Sequence, residues 1–242
     1  MHFKLLFNMK YIMKRQLLKS VLLVLAMSLT ATSVSAQRDR NYVKNQIKKW
    51  GTCKNVAITK TNGDVALYGK CGYAASNVPT GLLNKLKELN KSNTLIDDVQ
   101  LTESGKWCVL YGKNDASWTT NVPSGLASKI NDFHNNNYVV RSISFNDYGQ
   151  WVIVSDEYYA TSSTDLTNWL KNGSNKYGRL WAVCITDDAA IAVYANGFCV
   201  RGDVPEGLLS ALRSTSFNVY RLKVSGTSWF FADEDGNYRY YM

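Results

Sequence analysis

The stretch Asn77-Val78-Pro79-Thr80-Gly81-Leu82 returns twice further along the chain with few changes. The copies read Asn121-Val122-Pro123-Ser124-Gly125-Leu126 and Asp203-Val204-Pro205-Glu206-Gly207-Leu208. The first two copies start 44 residues apart, and the third starts 82 residues beyond the second, which is about two periods. A degraded copy around residues 163–166 occupies the intervening place. A period of this size is typical of proteins built from tandem structural repeats.

Each copy of the motif opens an amphipathic helix. Leu82, Leu86 and Leu89 follow the i, i+4, i+7 spacing of one helical face, and the same spacing follows the second copy and occurs near residues 43–50. Proline suits the first turn of a helix, and an Asn or Asp such as Asn77 just before it can cap the free N–H groups. The sequence predicts five helices, near residues 41–50, 79–91, 123–135, 164–172 and 205–214.

Between the predicted helices the hydrophobic period changes to two, which is typical of strands. Val56-x-Ile58 begins the first such segment and Val99-x-Leu101 the second, and each is followed by a polar turn and two more short strands. Asn196-Gly197 and Asp235-Gly236 are the strongest hairpin signals. The unit is therefore three antiparallel strands plus one helix, repeated five times with about 41 residues in each.

A single unit of this kind cannot bury both faces of its sheet, and so neighbouring units have to pack on one another. A closed five-bladed α/β propeller with one helix per blade meets this requirement, and so does a short open stack. We expect the closed ring, because closure leaves only short, protected strand edges and neither terminal unit carries a polar cap. The predicted fold class is an α+β repeat of five βββα units in one domain, residues 37–242.

Residues 1–36 are expected to be a secretory signal peptide. Basic residues at positions 14, 15 and 19 precede an apolar run, Val21 to Leu29, and small residues end at Ala36. The apolar run is about half of the roughly 20 residues that a bilayer-spanning helix needs, so we expect no membrane insertion after cleavage. Met13 is an alternative start to Met1. The mature protein is expected to be secreted or periplasmic.

The basic character of the chain comes largely from this leader. Five of the 28 Lys and Arg residues and none of the 19 Asp and Glu residues lie in residues 1–36, so cleavage lowers the formal charge from +9 to about +4. The remaining charges are scattered, and they form no basic stripe of the kind that binds nucleic acid. The sequence therefore predicts no nucleic-acid partner.

Export permits disulfides, and five cysteines are available to form them. If the first hairpin turns between Thr61 and Asn62, Cys53 and Cys71 lie nearly opposite each other on adjacent strands. They are the candidate disulfide, which would close a loop of about 20 residues. Cys108 lies in an apolar strand and is expected to be a buried small hydrophobic residue. Pairing of Cys184 with Cys199 stays open.

Conventional catalytic groups are scarce. His134 is the one histidine of the mature chain, so neither a His-rich metal site nor a Ser-His-Asp arrangement is predicted. Acidic groups such as Asp187-Asp188 fall mostly at predicted turns, where turn chemistry explains them. The segment 233–237 lacks the spacing of a calcium-binding loop. We expect no enzymatic activity, no metal and no cofactor; a hydrolase that uses paired carboxylates is the alternative.

Aromatic residues recur once per unit on the predicted third strand. In a ring they would form a repeated set of flat, partly polar surfaces that suit sugar rings or protein hot spots. Packing beneath the helices as part of the core is the alternative. The candidate ligand-binding residues are Tyr73, Trp118, Tyr159, Phe198 and Tyr238.

The order of strand, Gly-turn, Trp-rich strand ending in Tyr-Gly (Tyr68-Gly69, Tyr111-Gly112) and Val-Pro-x-Gly-Leu helix resembles tandem repeats in exported bacterial proteins of unassigned role. In architecture alone, the chain is similar to five-fold α/β propellers of the pentein type. The resemblance covers almost all of residues 41–242. It implies no activity, because the catalytic Cys and His of enzymatic penteins have no matching motif here.

The sequence as a whole predicts an exported, monomeric, non-enzymatic binding protein. Its repeat-built surface is expected to bind a glycan or another protein. A carboxylate-dependent hydrolase and a secreted protease inhibitor that acts through its loops are the alternatives.

Overall fold

The structure is a computed structural model that describes residues 39–242. The predicted signal peptide, residues 1–36, lies outside the described residues. Within the described part, the chain runs through one helix and three strands, and it repeats this order five times. The prediction of an α+β repeat with five three-stranded units is confirmed.

The helices are separated by regular intervals along the chain. They are α1 Arg40–Trp50, α2 Thr80–Lys91, α3 Leu126–Asn135, α4 Thr164–Tyr177 and α5 Glu206–Arg213. The strands, sheet by sheet, are β1 Asn55–Ile58, β2 Asp64–Tyr68, β3 Gly72–Ser76; β4 Ile96–Leu101, β5 Trp107–Tyr111, β6 Asp115–Trp118; β7 Val140–Phe145, β8 Trp151–Ser155, β9 Tyr159–Thr161; β10 Leu180–Ile185, β11 Ala189–Tyr194, β12 Gly197–Gly202; β13 Arg221–Ser225, β14 Ser228–Ala232, β15 Tyr238–Tyr241.

Each sheet is an antiparallel meander in which the second strand lies between the first and the third. The five sheets are open, and each keeps to its own three strands within residues 39–242. Equivalent residues pair in equivalent ways: Asn55 lies opposite Leu67 in the first sheet and Arg221 lies opposite Ala232 in the last. The units are therefore structural copies as well as sequence copies.

Helix entry differs from the expectation at all three proline motifs, and the N-caps of α2 and α5 are the prolines themselves, Pro79 and Pro205. The Asn77 side chain donates to the carbonyl of Thr61 at 3.0 Å, and Pro79 rather than Asn77 stands at the N-cap of α2 without a side-chain cap bond. The helix α3 begins at Leu126, three residues after its expected start, because Gly125 takes a left-handed conformation with φ 79°. Side-chain capping occurs instead at Asp39 and Ser163, before α1 and α4.

Five hydrophobic clusters hold the units together, each under one helix, and four of them lie between consecutive sheets. In the first of them, Leu82, Leu86 and Leu89 of α2 pack between the first and second sheets. The next three clusters repeat this arrangement under α3, α4 and α5. The fifth cluster joins α1 and the first sheet to β14 of the last sheet.

Hydrogen bonds also join the beginning of the described chain to its end. The backbone N–H of Cys53 donates to Gly236 O at 3.0 Å, and Lys44 Nζ donates to Met242 O at 2.7 Å. Arg40 donates to Ser228 Oγ at 3.1 Å. The first and last units are therefore in direct contact.

The predicted disulfide between Cys53 and Cys71 is not formed; all five cysteines are free. Both residues lie outside the β1–β2 pairing, which begins with Asn55 opposite Leu67. Cys53 is buried in the fifth cluster, whereas Cys71 lies in the β2–β3 turn, where its Sγ is 3.5 Å from Asn93 Oδ1. The two thiols thus belong to clusters on opposite faces of the first sheet. Cys184 and Cys199 are also unpaired.

Within residues 39–242, no helix combines the length and the apolar character needed to cross a membrane.

The fifth cluster yields a prediction about the first helix. Ile47 is fully buried against β14, at the place that Leu86 holds in α2. Ile47→Ala is expected to lower the free energy of unfolding by about 2–5 kcal/mol, as much as Leu86→Ala, because each change leaves a cavity between two sheets. Urea denaturation measures both. A cost near zero for Ile47→Ala alone would mean that α1 does not hold the first and last units together.

Candidate functional site

The aromatic residues predicted to bind ligand are half-buried on the third strands. Each packs against a different one of the five clusters. Burial raises the pKa of the Tyr159 and Tyr238 hydroxyls, which agrees with this placement. The structure distributes the five side chains around the molecule and does not gather them in one site.

Strand register shows that four of these aromatic residues are equivalent. The residues paired with Tyr73, Tyr159, Phe198 and Tyr238 are, in turn, Leu67, Val154, Val193 and Ala232, which hold the same place in their strands. Trp118 pairs instead with Cys108, two residues further along the third strand, and Ala116 holds the equivalent position in that unit. Their role in ligand binding stays a prediction.

Substitution of Tyr159 separates its two possible roles. Because Tyr159 packs half-buried against the cluster under α4, Tyr159→Ala is expected to lower the free energy of unfolding by about 1–2 kcal/mol, less than a fully buried aromatic side chain costs. Tyr148, with 78% of its surface exposed, is the matched control. Chemical denaturation of Tyr148→Ala should show a change within about 0.5 kcal/mol. An unchanged stability of Tyr159→Ala would contradict a core role.

Polar side chains meet where the first strands of the units lie side by side. Each lies either between the two apolar residues of a first strand or directly before the first of those two residues. We call Asn55, Asp98, Gln100, Ser144 and Lys223 the central polar cluster; all five are buried. Gln100 Nε2 donates to Phe145 O at 3.0 Å, and the Ile185 N–H donates to Ser144 Oγ at 2.8 Å. The cluster therefore bonds one first strand to the next.

Asp98 is the most heavily bonded member of the central polar cluster. Its carboxylate is 1% exposed and accepts from Asn55 Nδ2 at 2.5 Å and from the Ile143 N–H at 2.9 Å. Lys223 Nζ lies 3.0 Å from it and also donates to Gln100 Oε1 at 3.1 Å. Burial opposes ionisation, but Lys223, Arg221 and the Ile143 N–H outweigh it and hold the pKa of Asp98 below its usual 3.8. Asp98 is thus ionised and bonded to three other sheets.

This arrangement predicts a dependence of stability on pH. The folded-state pKa of Asp98 is lowered, so its contribution is present above about pH 4 and is lost as pH falls below that value. Asp98→Asn is expected to cost about 3–5 kcal/mol at pH 7, because it leaves Lys223 buried without a counter-charge. The free energy of unfolding, measured by urea denaturation from pH 7 to pH 3, should fall less steeply in this variant.

The double variant Asp98→Asn/Lys223→Met is the control. It removes the buried charge together with its partner, and so it should be more stable than Asp98→Asn alone. Equal losses in the single and double variants would contradict the pairing of these two side chains.

A small cavity opens beside Lys223, where the first strands end. It has a volume of about 40 Å³, and acidic residues, Glu103, Asp147, Asp187 and Asp188, line it. This is room for a few water molecules. Within the described residues, no group of three His, Cys, Asp or Glu side chains is placed to hold a metal ion.

The carboxylates of this cavity are bonded by neighbouring groups. Glu103 accepts from the Lys60 N–H at 2.6 Å, and the Asp188 carboxylate pairs with Lys60 Nζ. Asp147 accepts from Thr102 Oγ1 at 2.8 Å. Burial tends to raise the pKa of Asp147, but the Ser104 and Thr102 donors and Lys106 hold it below its usual value. Asp147 is therefore suited to remain ionised rather than to donate a proton.

The other end of the first strands carries cations and aromatic rings. We call Lys54, Arg141, Arg179, Trp181, Tyr220 and Arg221 the basic-aromatic cluster. The rings of Trp181 and Tyr220 stack with their centroids 5.2 Å apart, and the Arg141 guanidinium lies 5.8 Å from the centroid of Tyr220. β-bulges in β7 and β10 interrupt the pairing at Arg141 and Trp181, and a bulge can redirect a side chain out of a sheet.

Positive charge is in excess in the basic-aromatic cluster. Arg221 contacts both carboxylate oxygens of Asp97, at 3.1 and 3.2 Å, while Arg141 and Arg179 share Asp156, at 3.0 and 3.7 Å. Burial, together with the like charges of Arg179 and Arg221, lowers the pKa of Arg141 despite the attraction of Asp156 and Glu234. Burial and Arg221 also lower the pKa of Lys54, against the attraction of Asp97 and Asp98. Such a cluster can bind an anion.

Hydrophobic spacing does not reveal the central polar cluster, and the basic-aromatic cluster joins residues that lie far apart in the chain. The pattern of apolar pairs left the intervening residue undefined, yet Gln100 and Lys223 occupy that place in two units. A lysine between Leu222 and Val224 in an alternating strand is a signal of a buried partner, because lysine is almost never fully buried unless it is paired. The acidic pair Asp187-Asp188, which the sequence placed at a turn, lines the small cavity. Asp97 and Asp156 lie in ion pairs at the other end of the first strands.

Comparison with known protein families finds no matching family, and comparison with curated proteins finds no match either.

Proposed function

We propose that this chain is an exported, non-enzymatic binding protein that holds an acidic glycan at the basic-aromatic cluster. The observation that carries the proposal is the excess of Lys and Arg side chains beside the stacked rings of Trp181 and Tyr220. Export rests on the predicted signal peptide.

The proposed architecture behind this site is a closed five-bladed α/β propeller. Its support is the sequence of bonds between first strands: Asn55 to Asp98, Gln100 to Phe145, Ser144 to Ile185 and Cys184 to Val224. Lys223 of the last unit bonds Asp98 of the second, and the fifth cluster joins the last sheet to the first. A ring would surround one axis with the five first strands and bring the basic-aromatic cluster to one mouth of it.

A binding role explains the carboxylates better than hydrolysis does. Glycoside hydrolysis by two carboxyl groups needs one with a raised pKa to act as the general acid. Asp147 in the small cavity has a lowered pKa, and Glu103 and Asp188 are occupied by Lys60. These groups hold neighbouring loops to one another, so we propose no hydrolytic step.

The chemistry of the basic-aromatic cluster favours an acidic glycan as the ligand. Arginine binds carboxylate and sulfate groups through two parallel N–H bonds, and aromatic faces suit sugar rings. Arg179 has 57% of its side chain exposed, so it can contact a ligand without first breaking buried contacts. The cations form a compact group rather than the extended stripe that follows a nucleic-acid backbone.

Charge removal at Arg179 tests the proposal. Arg179→Gln is expected to weaken binding to polygalacturonate about tenfold or more, because a hydrogen bond to a charged group is worth about 1.5–3 kcal/mol. Biolayer interferometry on the immobilised polysaccharide measures the effect, and added salt should weaken binding by the wild-type protein as well.

Lys60→Gln is the matched control, since it removes one charge of similar exposure from the opposite end of the first strands. It should bind as the wild type does. Neutral dextran should not bind, and single-stranded DNA should compete poorly. The acidic-glycan assignment is overturned if the wild-type protein does not bind polygalacturonate. It is also overturned if single-stranded DNA displaces the protein from polygalacturonate as well as a soluble acidic glycan does.

A further inference from the structure

The cations of the basic-aromatic cluster fall into two groups, and each group contacts one carboxylate. In the first group, Arg221 contacts both carboxylate oxygens of Asp97, at 3.1 and 3.2 Å. Lys54 Nζ donates to the backbone carbonyl that precedes Asp97. The next carboxylate along the chain, Asp98, is held by Lys223 at 3.0 Å. The first group therefore combines two cations with one carboxylate in contact.

The second group consists of Arg141, Arg179 and Asp156. Arg141 Nε lies 3.0 Å and Arg179 Nη2 lies 3.7 Å from the same oxygen, Asp156 Oδ1. Glu234 also attracts Arg141, but in the part of the chain that the structure describes it forms no ion pair with that residue. Two cations again share one carboxylate, so positive charge is left over in both groups.

The two carboxylates lie at the surface, above arginines that are mostly buried. The Asp156 side chain is 59% exposed in the turn between β8 and β9, and the Asp97 side chain is 28% exposed at the β-bulge of β4. Arg141 and Arg221 are far less exposed than these partners. An acidic ligand group can therefore reach the two arginines at the places that the carboxylates of the protein now occupy.

Comparison of the units marks Asp97 as a departure from the repeat. It precedes the first apolar residue of its first strand by two positions, as Lys54 and Arg141 do in the first and third units. Trp181 and Tyr220 hold this place in the fourth and fifth units. Because five different side chains fill one position, the repeat itself requires no carboxylate there. The carboxylate of Asp97 is a feature of this surface.

The stacked rings of Trp181 and Tyr220 adjoin both groups of cations. The Arg141 guanidinium lies 5.8 Å from the centroid of the Tyr220 ring, and Arg221 Nη1 donates to Tyr220 O at 3.4 Å. Burial lowers the pKa of Arg141, and the like charge of Arg221 lowers it further, so the two groups lie close enough to act on each other. One ligand can therefore contact both groups.

We infer that the basic-aromatic cluster binds two carboxylates of one glycan, which replace Asp97 and Asp156 as partners of the two cation groups. On binding, the side chains of Asp97 and Asp156 turn to solvent. The inference rests on the proposed function and narrows its ligand class to glycans with a carboxylate on each of two neighbouring sugar residues. A carboxylate is indicated because Arg221 already contacts one through both of its oxygens.

Removal of the competing carboxylates tests the inference. Asp97→Asn and Asp156→Asn each keep the shape of the side chain and remove its charge. Each variant is expected to bind digalacturonic acid about three- to tenfold more tightly than the wild type at low salt, because the ligand no longer displaces a charged partner. Isothermal titration calorimetry measures the dissociation constants. A purely structural role, or partial unfolding of a variant, would not tighten binding.

The number of acidic groups in the ligand gives a second measurement. Galacturonic acid carries one carboxylate and digalacturonic acid carries two. The wild type is expected to bind the second at least about tenfold more tightly than the first, and added salt should weaken its binding more steeply. Inorganic sulfate, titrated at the same ionic strength, should bind more weakly than digalacturonic acid. Equal binding of sulfate would contradict recognition of carboxylates.

Asp188→Asn is the matched control. Its side chain is 52% exposed and paired with Lys60 at the opposite end of the first strands, and its substitution changes the net charge by the same amount. It should bind as the wild type does. The inference is overturned if Asp97→Asn or Asp156→Asn binds no more tightly than Asp188→Asn, or if one and two carboxylates bind equally well.

The variant Arg179→Gln separates this inference from the proposed function. If polygalacturonate binding depends on Arg179 while removal of Asp97 and Asp156 leaves affinity unchanged, the proposed function stands and the two-carboxylate assignment fails. If the wild type does not bind polygalacturonate, both fail.

Discussion

The buried carboxylate of Asp98 links four of the five sheets. It lies on the second sheet and bonds Asn55 of the first, the Ile143 N–H of the third and Lys223 of the fifth. An ion taken out of water is costly unless its partners surround it closely, so these strands have little freedom to slide past one another. The first strands are thereby held at equal heights, and equivalent residues of neighbouring units meet.

Because the first strands are aligned, acidic residues collect at one end of these strands and basic residues at the other. The loops that follow the first strands bring Glu103, Asp147 and Asp188 together. At the other end, Lys54 precedes β1 and Arg141 lies at the start of β7. The acidic ligand that we propose would be attracted to the end that carries the basic-aromatic cluster.

The departures from exact repetition include the positions on which the proposed site depends. Lys223 replaces the Ala57 of the first unit, and it supplies the charge that Asp98 needs. Asp97 stands where the first and third units have Lys54 and Arg141, and it supplies a carboxylate to Arg221. In a repeat protein the shared positions build the core, and the positions that differ are free to build a site.

The sequence alone determined the period, the five helices and the order of strands, because hydrophobic spacing is set by residues close together in the chain. It did not exclude the Cys53–Cys71 disulfide, since the β2–β3 turn directs Cys71 to the far face of its sheet. Tertiary structure decided which polar residues meet. Asp98 and Lys223 lie in different units, and their 3.0 Å contact depends on how whole sheets pack, which no local pattern encodes. The same packing brought Asp97 to Arg221, which also belong to different units.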